Sequence, residues 1–182
     1  MFYYDLIVCC LSVLFWIYLI YAGWEIAHQR APFVPSPSAP KKIAITKISE
    51  LLDNATTPQT VVDAGCGNGK LLAILAKKYP QHHFIGIEYN KTLYNYCHRK
   101  YKKISNLNFY NQDLLEFDYK QTNIIYYFGI PALTQKFGEK LQQTQTRLDI
   151  LTLDAQFEHL QLISKESFKF WMTQSYVYHY KN

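Results

Sequence analysis

Apolar and polar residues alternate in blocks along the chain, and the blocks predict strands and helices in turn. The first block with strand character is the β-branched run at residues 60–62, and it is followed by a glycine-rich turn and an apolar stretch with helical spacing. By the same criteria, strands are predicted at residues 60–62, 84–87, 107–111 and 122–128, helices at 71–76, 90–103 and 132–143, and a closing antiparallel strand at 168–180. Strands that alternate with helices are typical of a mostly parallel sheet covered by helices.

The amino-terminal block has a different pattern. Residues 6–24 contain no charged side chain and are dominated by Leu, Ile, Val and aromatic residues. That length matches the thickness of a bilayer's hydrocarbon core, whereas the basic start and the small-residue cleavage site of a signal peptide are absent. Asp5 precedes the segment, while Arg30, Lys41 and Lys42 follow it. The positive-inside rule therefore predicts a single-pass membrane protein whose carboxyl-terminal domain is cytoplasmic. A buried helix that docks on the domain or forms a dimer is the alternative.

A Pro-rich segment joins this block to the rest of the chain. Prolines at positions 32, 35, 37 and 40 forbid a continuous helix and favour an extended spacer. We therefore divide the chain into a transmembrane anchor (residues 1–30), a Pro-rich linker (31–42) and one α/β domain (43–182).

The turn after the first strand carries the main chemical signal. It reads Asp63-Ala64-Gly65-Cys66-Gly67-Asn68-Gly69, a D-x-G-x-G-x-G pattern. Glycines allow positive φ and close backbone approach, and the helix that follows directs free N–H groups at a ligand. The spacing differs from the dinucleotide fingerprint G-x-G-x-x-G, and the Gly-Lys-Ser/Thr ending of a phosphate loop is absent.

Acidic residues follow three successive predicted strands. Asp63, Glu88 and Asp113 stand at the ends of the first, second and third strand. Open α/β sheets bind ligands at the edge formed by the carboxyl ends of their strands. Glu88 is placed to accept hydrogen bonds from both hydroxyls of a ribose.

Together these features resemble the class I S-adenosylmethionine (SAM) dependent methyltransferases, whose first motif is D-x-G-x-G-x-G. The resemblance implies a Rossmann-like seven-stranded α/β sheet, here preceded by one transmembrane helix, with SAM as methyl donor and Asp113 near the adenine amino group. The implied cofactor-binding residues are Asp63, Gly65, Cys66, Gly67, Asn68, Gly69, Glu88, Tyr89, Asp113 and Leu114. Cys66 and Asn68 depart from the Ser and Asp that are common in this motif.

A narrower resemblance rests on the apolar anchor and the element Pro32-Phe33-Val34-Pro35-Ser36-Pro37. Both are similar to features of the membrane-anchored lysine methyltransferases that modify the ADP/ATP translocase and the ATP synthase c subunit, and of their bacterial relatives. The similarity implies that Phe33 and Ser36 help to close the SAM site and that the acceptor is a lysine of a membrane protein. A methyltransferase of a lipid, quinone or other small molecule, and a non-catalytic SAM-binding protein, are the alternatives.

The methyl acceptor is expected beside the fourth strand, which ends in Tyr126 and Tyr127. These residues alternate in direction, so that one can face the site and contact an amine by a cation–π interaction while the other packs under a helix. Two core tyrosines are an equally good interpretation. Glu116 and Asp118 are candidate bases by proximity alone, and the catalytic residue stays unknown.

The composition of the chain limits the cofactors and binding partners that we expect. The chain has 182 residues, 49% of them hydrophobic, a formal net charge of +5 and four cysteines without the spacing of a disulfide framework or a metal site. No metal is therefore expected. Basic residues gather at positions 91–103, for which a solvated helix face is the commoner explanation. With an anchor already predicted, we favour the lipid bilayer over a nucleic acid as their partner.

Overall fold

The computed structural model describes residues 2–27, 38–144, 146–170 and 173–182. Its backbone contacts separate two units, Met1–Val34 and Pro35–Asn182. The predicted division at residues 30 and 42 stays a prediction, although a helix already begins at Ser38, within the predicted linker.

The described residues of the first unit form the helix α1 (Phe2–Ala27). Its stretch Tyr3–Tyr21 comprises 19 residues with a mean hydropathy of 2.0, and none of that stretch is buried. A helix of this length spans about 28 Å, close to the thickness of a bilayer's hydrocarbon core. By length and composition, α1 is therefore able to cross a membrane.

The second unit is built around a seven-stranded sheet with the strand order β3-β2-β1-β4-β5-β7-β6. Its strands are β1 (Thr60–Ala64), β2 (His83–Ile87), β3 (Leu107–Tyr110), β4 (Ile124–Tyr127), β5 (Asp149–Leu153), β6 (Gln161–Phe170) and β7 (Thr173–Lys181). Its helices are α2 (Ser38–Asp53), α3 (Lys70–Lys78), α4 (Lys91–Tyr101) and α5 (Pro131–Gln142). The pairs among β1 to β5 are parallel, whereas β7 runs antiparallel to both β5 and β6. The predicted fold class is confirmed.

The register places the ends of the parallel strands at one level. Ala64 lies opposite Ile87 on one side and Tyr127 on the other, and Tyr127 in turn lies opposite Thr152. The segments that follow these strands therefore meet at one edge of the sheet, which we call the carboxyl edge.

Both faces of the central strands are buried. Val61 and Tyr126 belong to one core cluster together with residues of α2 and α3, while Val62 and Tyr127 belong to a second cluster together with residues of α5. Neighbouring residues of a strand point to opposite faces, which explains why these strands are continuously apolar.

The carboxyl-terminal segment differs from the prediction of a single strand at residues 168–180. Two antiparallel strands, β6 and β7, occupy residues 161–181, apart from residues 171–172, which lie outside the described part. Residues 161–167 are exposed along the outer strand and include Lys165 and Glu166. A half-polar edge strand of this kind lacks the apolar run by which a buried strand is recognised.

The packing of the sheet requires a residue without a side chain at Gly86 in β2. A Cβ atom at this position would lie 2.6 Å from Cδ1 of Phe109 and 2.7 Å from Sγ of Cys66. We expect Gly86→Ala to lower the free energy of unfolding by about 1 to 3 kcal/mol, because the core must shift to admit the methyl group. Chemical unfolding of the full chain measures the effect. Adding Phe109→Leu should recover part of the loss in the double variant, and an unchanged unfolding midpoint in Gly86→Ala would contradict this explanation.

Candidate functional site

The turn between β1 and α3 depends on glycine at three positions. Gly65, Gly67 and Gly69 have φ values of 94°, 55° and 66°, a region that residues with a side chain rarely adopt. The backbone N–H groups of Gly65 and Cys66 donate to the carbonyl oxygen of Ile87 at 3.0 and 2.9 Å. The turn is thereby fastened to the carboxyl end of β2.

Two of these glycines, Gly65 and Gly69, have different surroundings. A Cβ atom on Gly65 would meet no atom within 4 Å, so that open space lies beside the turn. A Cβ atom on Gly69 would instead stand 2.8 Å from Cε1 of Phe109. Gly65 therefore leaves room on the ligand side, whereas Gly69 also permits close packing of α3 on the sheet.

Glu88 connects the turn to the start of α4. Its Oε2 accepts a hydrogen bond from the backbone N–H of Gly67 at 2.9 Å, and its Oε1 accepts one from the backbone N–H of Asn90 at 2.8 Å. The sequence predicts only ribose hydroxyls as partners of this carboxylate, and the structure adds a second role in holding the turn. Carboxylate oxygens accept several hydrogen bonds each, so that the two roles are compatible.

Asp63 is almost completely buried, with 4% of its surface exposed. It lies on β1 between Gly86 of β2 and Tyr126 of β4. Burial, and to a lesser degree the nearby charge of Glu88, raise the pKa of Asp63 to about 7, while Lys41 acts in the opposite direction. A buried carboxylate next to a second carboxylate is ionised at a cost, which a cationic ligand would offset.

The side chain of Cys66 is turned into the protein rather than towards the carboxyl edge. Cys66 and Cys97 are both buried, and Sγ of Cys97 donates to the carbonyl oxygen of Gly67 at 3.2 Å. A hydrogen bond with Cys97, followed by burial, raises the pKa of Cys66 well above its usual value. The Cys66 thiol is therefore a protonated packing group, and the buried Cys97 packs beside it. The neighbouring Asn68 accepts from the backbone N–H of Lys70 at 3.1 Å and so supports the start of α3.

The third strand end is shaped by short side-chain contacts. Asp113 accepts a hydrogen bond from the backbone N–H of Leu115 at 2.8 Å. Leu114 is buried, and its carbonyl oxygen accepts a hydrogen bond from the hydroxyl of Tyr119 at 2.9 Å.

Tyr89 lies just after the end of β2 and is 52% exposed. Asn111, which the sequence analysis did not assign to the site, donates to the carbonyl oxygens of Glu88 and Tyr89 at 2.9 and 2.8 Å. The sequence feature that could have identified Asn111 is an amide side chain directly after a strand.

Tyr126 and Tyr127 point to opposite faces of the sheet, as their alternation predicts. Tyr127 packs against Phe137 with ring centroids 5.0 Å apart, and its hydroxyl lies 3.3 Å from that of Thr134, so that it is a core residue under α5. Tyr126 is on the face of Asp63, and burial, followed by the charges of Asp63 and Asp154, raises its pKa. Both hydroxyls therefore keep their protons at neutral pH.

Asp154 is a further carboxylate at the carboxyl edge, and the sequence analysis missed it. It is exposed directly after β5 and has a φ of 53°, which is uncommon for a residue with a side chain. Its Oδ1 accepts from the backbone N–H of Tyr176 at 2.6 Å. Backbone strain of this kind gathers at functional sites. The candidate bases Glu116 and Asp118 are also exposed, and Asp118 forms an ion pair with Lys120 at 3.7 Å.

Two of the predicted site residues, Phe33 and Ser36, lie outside the described residues. In the ranges that the structure describes, no group of three or more His, Cys, Asp or Glu side chains is arranged to hold a metal ion. The assignment of individual cofactor-binding residues remains a prediction.

The sheet order, the glycine turn and the strand-end carboxylates define a Rossmann-like methyltransferase domain, and solved structures share this fold. An RNA methyltransferase from Salinibacter ruber, in complex with S-adenosyl-L-homocysteine, is 19% identical with a TM-score of 0.62, over 81% of this chain and 93% of that one. The N-methyltransferase NodS from Bradyrhizobium japonicum WM9, also in complex with S-adenosyl-L-homocysteine, is 11% identical with a TM-score of 0.63, over 84% of this chain and 92% of that one. At these identities the likeness concerns the fold alone.

The particular family follows from the sequence. The profile of the ANTKMT methyltransferase domain matches residues 63–161, which is more than half of the chain. The chain therefore belongs to this family and is a SAM-dependent methyltransferase. A search of the curated proteins found no match.

The residues at the carboxyl edge fit SAM. This molecule carries a positive sulfonium, an α-ammonium group and a ribose, and the edge offers the open side of Gly65 together with the carboxylates of Asp63 and Glu88. Carboxylates that complement the positive groups of SAM therefore lie at the same edge of the sheet as the open space beside Gly65. Asp63, Glu88 and the turn from Gly65 to Gly69 are the residues that would hold it.

The raised pKa of Asp63 predicts a pH dependence of cofactor binding. Protonation neutralises the carboxylate below about pH 7, so that its attraction for a cationic ligand is lost as the pH falls. We expect the affinity for SAM, relative to that of an Asp63→Asn variant, to decrease roughly tenfold between pH 8 and pH 6. Calorimetric titration of both chains across this range measures the ratio.

The raised pKa of Asp63 has the opposite pH dependence when the stability of the ligand-free fold is considered. A carboxyl with a raised pKa in the folded state stabilises the fold at low pH, and this contribution is lost as the pH rises through about 7. Asp63→Asn should therefore be more resistant to unfolding than the unsubstituted chain at pH 8 and should lose that advantage at low pH.

For cofactor binding, a ratio of SAM affinities between the two chains that does not change with pH would show that Asp63 does not face the ligand.

Removal of the Glu88 carboxylate tests the centre of the site. Glu88→Ala deletes the acceptor for the N–H groups of Gly67 and Asn90 and the predicted acceptor for the ribose hydroxyls. We expect SAM binding to weaken by about 2 to 3 kcal/mol, measured by calorimetry. Glu116→Ala is the matched control, because Glu116 is exposed and its loss should leave the affinity unchanged. Unchanged SAM affinity in Glu88→Ala would remove Glu88 from the site.

Proposed function

We propose that this chain is a membrane-anchored, SAM-dependent protein lysine N-methyltransferase whose acceptor is a lysine at the cytoplasmic surface of an integral membrane protein. The observation that carries the proposal is the match of residues 63–161 to the ANTKMT methyltransferase domain in a chain that begins with an apolar helix. The Pro-Phe-Val-Pro-Ser-Pro element between them supports the same assignment.

The distribution of charge supports a position at a membrane. The residues 91–103 contain five Lys and Arg residues and no Asp or Glu, so that they account for the whole formal net charge of +5. All five side chains are exposed: Lys91, Arg99, Lys100, Lys102 and Lys103. Basic residues near an anionic leaflet each contribute about 1 kcal/mol of attraction. This charge favours lipid headgroups as neighbours of α4, and the basic residues after α1 favour a cytoplasmic domain.

The reaction places modest demands on the protein. When bound, SAM supplies an activated methyl group on a positively charged sulfur. The turn from Gly65 to Gly69 and Glu88 would fix that group at the carboxyl edge. Positioning of this kind provides most of the rate enhancement when the donor is already reactive.

The acceptor amine must lose a proton before it is methylated. Tyr126 and Tyr127 are unsuited to remove it, because burial raises the pKa of each hydroxyl. Asp154 is exposed at the carboxyl edge and its charge acts on Tyr126. We therefore assign Asp154 the task of binding the lysine ammonium and directing its proton to solvent.

The proposal is tested with native membranes, methyl-labelled SAM and the full chain. We expect the label in a membrane-protein band, with methyl-lysine identified in its hydrolysate by mass spectrometry. A variant with Leu11→Lys and Phe15→Lys places two charges in α1, each costing about 3 kcal/mol in a bilayer. Because a tether raises the effective concentration of membrane-bound acceptors, this variant should methylate membranes at least tenfold more slowly than the unsubstituted chain, with SAM affinity unchanged.

Ser12→Ala is the control for the anchor variant, because it changes the same helix without adding charge. Label that enters only organic-extractable lipid or quinone, without enzyme-dependent methyl-lysine, would contradict the protein acceptor and favour a small-molecule methyltransferase. Label in neither fraction, with SAM binding intact, would favour a non-catalytic SAM-binding protein.

A further inference from the structure

Lys41 is a half-buried cation near the amino end of α2, and the site described above makes no use of it. Ala44, Ile48 and Leu52 are buried in the core cluster at intervals of three and four residues after it. Residues at this spacing lie on one face of a helix. Lys41 therefore continues the face of α2 that packs on the sheet, whereas its neighbour Lys42 is exposed on another side.

The direction of α2 places Lys41 at the carboxyl edge. Close to the carboxyl end of α2, Ser49 accepts a hydrogen bond from Lys78 at 3.4 Å, and Asp53 accepts one from the hydroxyl of Tyr79 at 2.8 Å. The carboxyl ends of α2 and α3 thus lie together, and α3 starts at the glycine turn. From Asp53 back to Lys41 a helix rises about 18 Å, which is close to the length of a five-residue strand such as β1.

The electrostatic surroundings of Lys41 agree with this position. The charges of Lys70 and Asp63 both act on Lys41, whose pKa is lowered by burial and by Lys70 and raised by Asp63. Lys41 accordingly lies within electrostatic range of Asp63 at the end of β1 and of Lys70, the first residue of α3. Among the described residues, however, no carboxylate lies within the ion-pair distance of 4.0 Å from Lys41. A half-buried ammonium group without a close carboxylate is stabilised by a ligand that brings a negative charge.

We propose that Lys41 binds the α-carboxylate of the methionine part of SAM. The proposal rests on SAM being the methyl donor, as in the proposed function. The methionine end of SAM carries an ammonium group and a carboxylate next to each other. Asp63 and Lys41 present the complementary pair of charges at the carboxyl edge. The carboxylate would also reduce the repulsion between Lys41 and Lys70.

The test compares SAM with decarboxylated SAM, which keeps the ammonium and sulfonium groups but lacks the carboxylate. Calorimetry is performed on the full chain in detergent, with Lys41→Met, Lys41→Arg and Lys42→Met. We expect Lys41→Met to weaken SAM binding roughly tenfold to a hundredfold, the range for a charge-assisted hydrogen bond, and to change binding of decarboxylated SAM less than threefold. Lys41→Arg should recover most of the loss, and Lys42→Met should bind both ligands as the unsubstituted chain does.

An equal loss of affinity for both ligands in Lys41→Met would overturn the assignment and show a structural role, as would unchanged affinity for SAM. Thermal unfolding without ligand separates a folding defect from a binding defect. Failure of the unsubstituted chain to bind SAM at all would overturn the proposed function together with this assignment. Normal SAM binding with failure of the ligand comparison would overturn the Lys41 assignment alone.

Discussion

The site depends on the contact between the carboxylate of Glu88 and the backbone N–H of Gly67, 2.9 Å apart. This hydrogen bond joins the end of β2 to the turn that follows β1. The second oxygen of the same carboxylate accepts from Asn90, whose side chain in turn caps α4 by accepting from the N–H groups of Thr92 and Leu93. One side chain thereby sets the shape of the glycine turn and the start of a helix, which fixes the backbone of the turn before a ligand arrives.

The parallel register makes this contact possible. Because Ala64, Ile87 and Tyr110 are aligned across β1, β2 and β3, the residues after them converge. Asn111 completes the arrangement, since its amide donates to the carbonyl oxygens of Glu88 and Tyr89. The packing beneath is equally constrained, because Gly86 leaves room for the ring of Phe109 and the thiol of Cys66. A tightly packed layer therefore supports an edge that stays open at Gly65.

The distribution of charged residues is the second feature on which the candidate site depends. Asp63 is buried beside Glu88, and Lys41 lowers the resulting pKa. A cationic donor such as SAM and a protein with two close carboxylates are complementary, so that ligand binding and the ionisation of Asp63 are linked. The excess positive charge is located elsewhere, on residues 91–103. The domain thus has acidic groups at its carboxyl edge and exposed basic residues on and after α4.

The sequence alone determined the alternation of the first four strands with their helices, the apolar helix and the glycine turn, because each depends on local spacing and on backbone preferences of nearby residues, whereas β5 was not predicted. It also placed Glu88 and Asp113 at strand ends, since an apolar or alternating strand pattern with a carboxylate after it is visible without a structure. Only the tertiary structure decided that β6 and β7 are two strands, that Tyr127 is a core residue, and that Lys41, Asn111 and Asp154 lie at the carboxyl edge. These facts depend on contacts between residues far apart in the chain, and no local pattern of the sequence encodes such contacts.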